Sequence, residues 1–433
     1  MKIDISNIEA LAVEKIKIKV LELSPNSKLR ISMKMELPWC KGEEYSSYGV
    51  FISDEKGEVD LDLANPVEGT YEANDSMGLI YSLKKNRSEG KNIAENISID
   101  KPIIMNMVFE SSDEKKEINL KRLFKTGEVI VKHICEDEFT GELFYKEKSN
   151  NKTVLMLGGS SGDVQALALL AAPLTSKGFN VLMVPYFESE GLPDKLEKVP
   201  LEYFEKIFEW IENNEITKSK EIFLHGTSKG GELALLLASR YKQIKKVVAV
   251  EPHAYCFQAL NGMMSGNNVS SWSYQGKSIP YIEVDNNIFF EDQKKSIEKG
   301  IPFGFASTYK KSIERAINKE EARIKVENSE ADILMVSGKE DNIWNSYDGC
   351  LEILDNLKKN RYKYNVELLT FDKMGHPIPV PYIIPISETL SMNMMGGVFS
   401  SGGTIEGNAE GQFKAWKRTI EFFMKPLSQK LKK

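Results

Sequence analysis

At 433 residues the chain is long for one domain and comfortable for two. Its apolar and charged fractions are those of an ordinary globular protein. A net charge of −6 excludes a general pull toward nucleic acid or an anionic membrane, though not a local basic pocket. No run approaches the roughly 18 apolar residues of a membrane span, so no span is expected. The N-terminus, MKIDISNIEA, lacks the basic segment and apolar core of a secretory signal, and the C-terminus, QKLKK, is not a peroxisomal tripeptide. Cys40, Cys135, Cys256 and Cys350 are scattered, with no paired spacing for zinc or a redox couple. Buried free thiols in a reducing cytoplasm are the expectation.

In chain order, residues 1–124 read as all-β. Between Lys28 and Leu37 the residues Leu29, Ile31, Met33, Met35 and Leu37 alternate with Arg30, Ser32, Lys34 and Glu36, the period of a half-buried strand. Similar runs recur at Lys15–Leu23, Tyr48–Ser53, Gly78–Leu83 and Pro102–Phe109, divided by turn formers such as Asp54-Glu55-Lys56-Gly57. Several short strands in about a hundred residues predict a sandwich of the immunoglobulin-like kind. This half offers no catalytic cluster.

From residue 125 to 433 the pattern changes. Strands Glu128–Ile134 and Gly141–Tyr145 form a hairpin, and strands and helices then alternate. The expected strands are Val154–Leu157, Val181–Val184, Ile222–Leu224, Lys246–Val250, Ile333–Val336 and Val366–Phe371. The expected helices are Asp163–Lys177, Leu201–Ile211 and Glu410–Met424. Such alternation predicts a mostly parallel sheet with helices on both faces. Residues 254–330 interrupt it and read as a cap inserted over the sheet.

The strand at Ile222–Leu224 runs into Gly226-Thr227-Ser228-Lys229-Gly230 and then a helix-forming apolar run. Strand, Gly-x-Ser-x-Gly, helix is the layout of a nucleophile elbow, in which a tight turn lifts a serine hydroxyl clear of the sheet. A second match, Gly158-Gly159-Ser160-Ser161-Gly162, also follows a strand. In the α/β-hydrolase plan an earlier loop supplies an oxyanion donor and the nucleophile sits on a later strand. The first match therefore suits the oxyanion loop, and Ser228 is the candidate nucleophile. The expected oxyanion donors are the backbone N–H of Lys229 and one from the Gly159-Ser160 turn. The Lys229 side chain reads as exposed or as a helix-surface charge rather than as a catalytic group.

A serine needs a base held by a third group, in the chain order nucleophile, acid, histidine. Glu340 and Asp341 follow the strand at Ile333–Val336, and His376 follows the last strand. Glu340 competes with Asp341 for the acid, and Asp341 is preferred. Of the other histidines, His133 precedes the core of this half and His225 sits within the elbow strand. His253 precedes any acid and suits at most a pocket wall.

These segments carry a resemblance. GTSKGGELALLLAS, SGKEDNIWNS and MGHPIPVPYIIP resemble the three catalytic motifs of the acyl-CoA thioesterase and bile acid-CoA:amino acid N-acyltransferase family. So do PYF at Pro185–Phe187, VPLEYFEKI at Val199–Ile207, GEVDLDLANPVEGTY at Gly57–Tyr71, SMGLIYSLK at Ser76–Lys84 and the closing GGTIEGNAEGQFKAWKRTIEFF. The resemblance implies a β-sandwich joined to an α/β-hydrolase domain, with Ser228, Asp341 and His376 as a triad acting on acyl-CoA. It implies no metal or redox cofactor. Serine at the nucleophile favours hydrolysis. Transfer of the acyl group to an amino acid, a broader carboxylesterase activity and a non-catalytic binding module are the alternatives. Acyl chain length, the residues that meet the coenzyme A phosphates and the oligomeric state are not legible.

Overall fold

A computed structural model describes residues 1–150, 152–161, 164–262 and 264–428. Two β-sheets form the N-terminal half. One has seven strands, with Lys28–Glu36 central and paired antiparallel to Glu44–Ile52 and Ile103–Glu110. The other has three, Lys2–Ile5, Ile18–Leu21 and Val59–Asp60. The alternation read in the sequence is the alternation observed. Leu29, Ile31, Met33 and Met35 are buried, while Arg30 and Lys34 face outward. Each such apolar side chain contributes roughly 1.5–3 kcal/mol on full burial.

The run Gly78–Leu83 departs from expectation. It forms a short helix at Gly78–Tyr81 rather than a strand. Its residues are all buried instead of alternating, and Asp75 starts the turn by accepting the Met77 N–H at 2.9 Å. A short apolar run does not by itself choose between strand and helix. The strand Lys115–Leu123, beside Ile103–Glu110, was not singled out in the sequence.

The second half is built on one eight-stranded sheet. Its strands are β1 (Ile130–Cys135), β2 (Thr140–Tyr145), β3 (Thr153–Leu157), β4 (Asn180–Met183), β5 (Ile222–Thr227), β6 (Ile244–Val250), β7 (Asp332–Gly338) and β8 (Val366–Phe371). Their spatial order is 1-2-4-3-5-6-7-8, with β2 antiparallel to both neighbours and β3 to β8 parallel. This is the α/β-hydrolase sheet. Fully buried strands such as β3 and β7 explain the continuous apolar runs in the sequence. Because β3 to β8 are parallel, the turns that follow β3, β5, β6, β7 and β8 all emerge at one edge.

Helix Ala168–Ser176, preceded by a single 3-10 turn at Gln165–Leu167, starts later than expected. Asp163, the expected first residue, and Gly162 lie outside the described residues, as do residues 429–433. Between β6 and β7, residues 254–330 contribute small hairpins and the helices Asn286–Lys299 and Ala306–Arg315. A further hairpin, Ser391–Met394 with Gly397–Ser400, packs on this segment through Phe303 and Phe399.

The two halves share a core. Met77, Leu79 and Tyr81 belong to the same apolar cluster as Val380, Tyr382 and Ile384, in the stretch just after His376. Ser387 Oγ donates to Leu83 O at 2.9 Å, and Lys85 pairs with Glu388 at 2.8 Å. The sandwich thereby braces the segment that follows the histidine loop. Cys40, Cys256 and Cys350 are buried, as expected. Cys135, on β1 at the open edge of the large sheet, is exposed instead. Among the described residues no helix is long and apolar enough to cross a membrane.

Candidate active site

The turn after β5 holds Ser228 at φ 56° and ψ −121°, a conformation that costs a non-glycine residue about 1–3 kcal/mol and persists only where its surroundings enforce it. The enforcing contacts are visible. A Cβ on Gly226 would lie 2.0 Å from Gly230 O, and one on Gly230 would lie 2.2 Å from Gly158 O. Only glycine fits at either place, so the strand and the helix Lys229–Arg240 close tightly around the serine. Ser228 N donates to Val250 O at 2.8 Å, which ties the elbow to the end of β6. Ser160, in the rival match, has no positive φ.

The Gly158–Ser161 turn lies against this elbow. A Cβ on Gly159 would come within 3.6 Å of Ser228 Cβ. The Tyr186 hydroxyl pins the turn by donating toward Gly158 O at 2.5 Å and Gly159 O at 3.1 Å. Tyr186 drew notice in the sequence only as part of PYF; its fixing of this turn did not.

Asp341 and His376 come together. The His376 Nδ1 atom is 2.9 Å from Asp341 Oδ2. Asp341 is cradled by the turn after β7. Its Oδ1 accepts the N–H of Ile343 at 2.9 Å and of Trp344 at 3.3 Å, while Oδ2 accepts from Ser346 N and Oγ. Glu340, one residue earlier, is exposed and has no part in the cradle. Ser401 O stitches acid and histidine loops together, accepting Asn342 N at 3.2 Å and His376 N at 3.0 Å. Asn408 Oδ1 secures the same loop by accepting Gly375 N at 2.9 Å.

Sequence reasoning missed a second carboxylate. Glu251 directly follows β6, is fully buried, and brings Oε2 to 3.4 Å from His376 Nε2. The imidazole thus lies between two acids. Burial works against its charged form, but the charges of Asp341 and then Glu251 outweigh burial and raise His376 to about 9. Burial would raise Asp341, yet the His376 charge and the hydrogen bonds from His376, Ser346 and Ile343 outweigh it and hold the carboxylate low. Burial lifts Glu251 to about 8.

These shifts set a pH window. Since His376 is raised above its usual 6.5, its charged pairing contributes stability fully below that pH and loses it as pH climbs through about 9. The difference in Tm between wild type and His376→Gln should be widest near pH 6 and close toward pH 10. A difference that widens with pH contradicts the pairing.

The Lys229 side chain is buried rather than exposed. Its Nζ lies 2.7 Å from both carboxylate oxygens of Glu232, and Trp272 Nε1 donates to Glu232 at 2.6 Å. A charge in the first turn of a buried helix needs such a partner. Trp272 comes from the segment between β6 and β7, which therefore packs directly behind the elbow. His225 is buried within β5, and His253 is buried against Trp344 and Phe257. Among the described residues no group of His, Cys, Asp and Glu is arranged to hold a metal ion.

A family model described as BAAT / Acyl-CoA thioester hydrolase C terminal matches residues 199–429, more than half of the chain. A second, Acyl-CoA thioester hydrolase/BAAT N-terminal region, matches residues 13–136. The chain belongs to the acyl-CoA thioester hydrolase/BAAT family. Human acyl-coenzyme A thioesterase 1 is 25% identical over 423 residues, covering 96% of this chain and 94% of that protein. Human acyl-coenzyme A thioesterase 2, mitochondrial, is 25% identical across 96% of this chain and 82% of its own. Mouse bile acid-CoA:amino acid N-acyltransferase is 26% identical over 436 residues, covering 97% and 96%. The resemblance read from the motifs is therefore a family membership, and the family spans both the sandwich and the hydrolase sheet.

Proposed function

We propose that this family member is a serine-dependent acyl-CoA thioesterase that releases fatty acid and coenzyme A. The observation that carries the reading is the Asp341–His376 pair at the sheet edge where Ser228 is held at positive φ. Ser228 Oγ attacks the thioester carbonyl while the neutral form of His376, which gains population as pH climbs through about 9, takes its proton, and Asp341 fixes the imidazole tautomer and balances its charge. The backbone N–H of Lys229 and one from the Gly159-Ser160 turn hold the oxyanion. The thiolate of coenzyme A takes the proton from His376 as it leaves, and water then attacks the acyl-serine with His376 as base. No metal or redox cofactor enters any step. The Gly159 turn supports its part of the scheme by lying against the Ser228 side chain.

An amine acceptor is the second reading, favoured by the relative named as an N-acyltransferase. An acyl-serine is an oxygen ester, less reactive toward amines than the thioester that a cysteine would form, and this supports water as the acceptor. The test is incubation with palmitoyl-CoA, with and without glycine, scoring free thiol, palmitate and N-palmitoylglycine. Palmitate should match thiol in both mixtures. N-palmitoylglycine as the main product overturns hydrolysis. We place the activity in the cytoplasm, as three buried unpaired thiols suit a reducing compartment. Recovery of the protein from an organelle fraction contradicts that placement.

A further inference from the structure

Glu251 takes no part in the scheme above, yet it lies among its atoms. It stands one residue beyond Val250, whose carbonyl accepts the Ser228 N–H, and its own backbone is fully engaged. Glu251 N donates to Val336 O at 2.7 Å, and Glu251 O accepts Trp344 Nε1 at 2.9 Å. The backbone is held at φ 51°, a second left-handed residue beside that of Ser228. The side chain is the opposite case. It is fully buried, neither carboxylate oxygen has a hydrogen-bond partner, and its nearest ionic neighbour is His376 Nε2 at 3.4 Å. A buried, unsatisfied carboxyl opposes folding, and an apolar side chain of similar length would not. Position, burial and the absence of a hydrogen bond to either carboxylate oxygen together mark a group kept for what it meets during turnover.

His376 Nε2 is the atom that must engage first the serine hydroxyl and then the attacking water. With Glu251 Oε2 only 3.4 Å away, a water bound at Nε2 can reach the carboxyl group as well. We propose that Glu251 is a fourth catalytic group, which orients the hydrolytic water against the acyl-serine by accepting its second O–H. This rests on the serine thioesterase reading. In the step, one water proton passes to His376 Nε2 while the other stays on oxygen, hydrogen-bonded to Glu251. The water oxygen bonds to the acyl carbon, the bond from that carbon to Ser228 Oγ breaks, and His376 returns its proton to Oγ. The products are fatty acid and free serine, and Glu251 gains no proton overall. Either protonation state of the carboxyl offers an accepting oxygen.

The experiment separates the two halves of turnover by rapid mixing with palmitoyl-CoA, scoring thiol release, palmitate and the intact protein mass. Glu251→Met should melt no lower than wild type. It should release coenzyme A in a burst approaching one equivalent, accumulate a palmitoyl adduct, and form palmitate at least tenfold more slowly than wild type. Glu251→Gln keeps the shape and one accepting oxygen, so it should fall between the two; it carries the test alone if the methionine protein does not fold. Equal slowing of burst and palmitate release, or no slowing of either, overturns the proposal. Ser228→Ala in the same apparatus keeps the two readings apart. It should give neither burst nor adduct, and if it hydrolyses normally the serine mechanism itself is what fails.

Discussion

Ser228→Ala should abolish palmitoyl-CoA hydrolysis while leaving the fold intact, with a loss on the order of 10⁶ in kcat as for a triad nucleophile elsewhere. Ser160, in the other Gly-x-Ser-x-Gly, sits on the neighbouring turn without the left-handed backbone that presents Ser228. The fold should survive because the tight turn is imposed by Gly226 and Gly230 against backbone atoms, not by the serine side chain, which makes no capping bond to the helix it opens. Near wild-type turnover in the alanine protein, with unchanged Tm, would remove Ser228 from the chemistry. The same result paired with a dead Ser160→Ala would move the nucleophile to the other motif.

Asp341→Asn should cost on the order of 10⁴ in turnover, the size seen when a triad aspartate becomes an amide. The cause is the tautomer. An asparagine that donates its amide N–H to Nδ1 leaves the proton on Nε2, where the base must be free to accept one. Asparagine retains a carbonyl oxygen for the Ile343 and Trp344 N–H groups, so that half of the cradle should persist, while its amide nitrogen, in the place of Oδ2, can no longer accept from Ser346 N. Glu340→Gln is the control. Its exposed side chain lies outside the cradle, and its turnover should stay within about twofold of wild type. Equal losses in the two variants would show that the His376 contact is not what Asp341 is for.

The elbow was legible because its constraint is local. A strand and a helix folding back on one turn need glycine on both sides of Ser228, and sequence spacing reports that directly. The sheet was legible for a similar reason, since buried parallel strands leave continuous apolar runs. For the candidate acid the sequence favours Asp341 while leaving Glu340 as a competitor. Glu340 and Asp341 are adjacent in the chain, and the turn's own hydrogen bonds choose which one points inward. Lys229 was misread for want of its surroundings. Lys and Glu three apart on a helix face one another, but it is Trp272, forty residues from Glu232, that covers the pair. Glu251 was missed because Glu-Pro-His after a strand reads as an ordinary loop. Its signal was position, a charge directly after an apolar strand, at the same sheet edge as the candidate serine and acid.

The acyl group should pass through Ser228. The direct measurement is rapid quenching during palmitoyl-CoA turnover, followed by digestion and peptide mass mapping. A palmitoyl ester should appear on the peptide that contains Ser228, formed and lost at rates compatible with turnover and absent from Ser228→Ala. Undiminished hydrolysis with no adduct at any time, or a kinetically competent adduct on another residue, would contradict it.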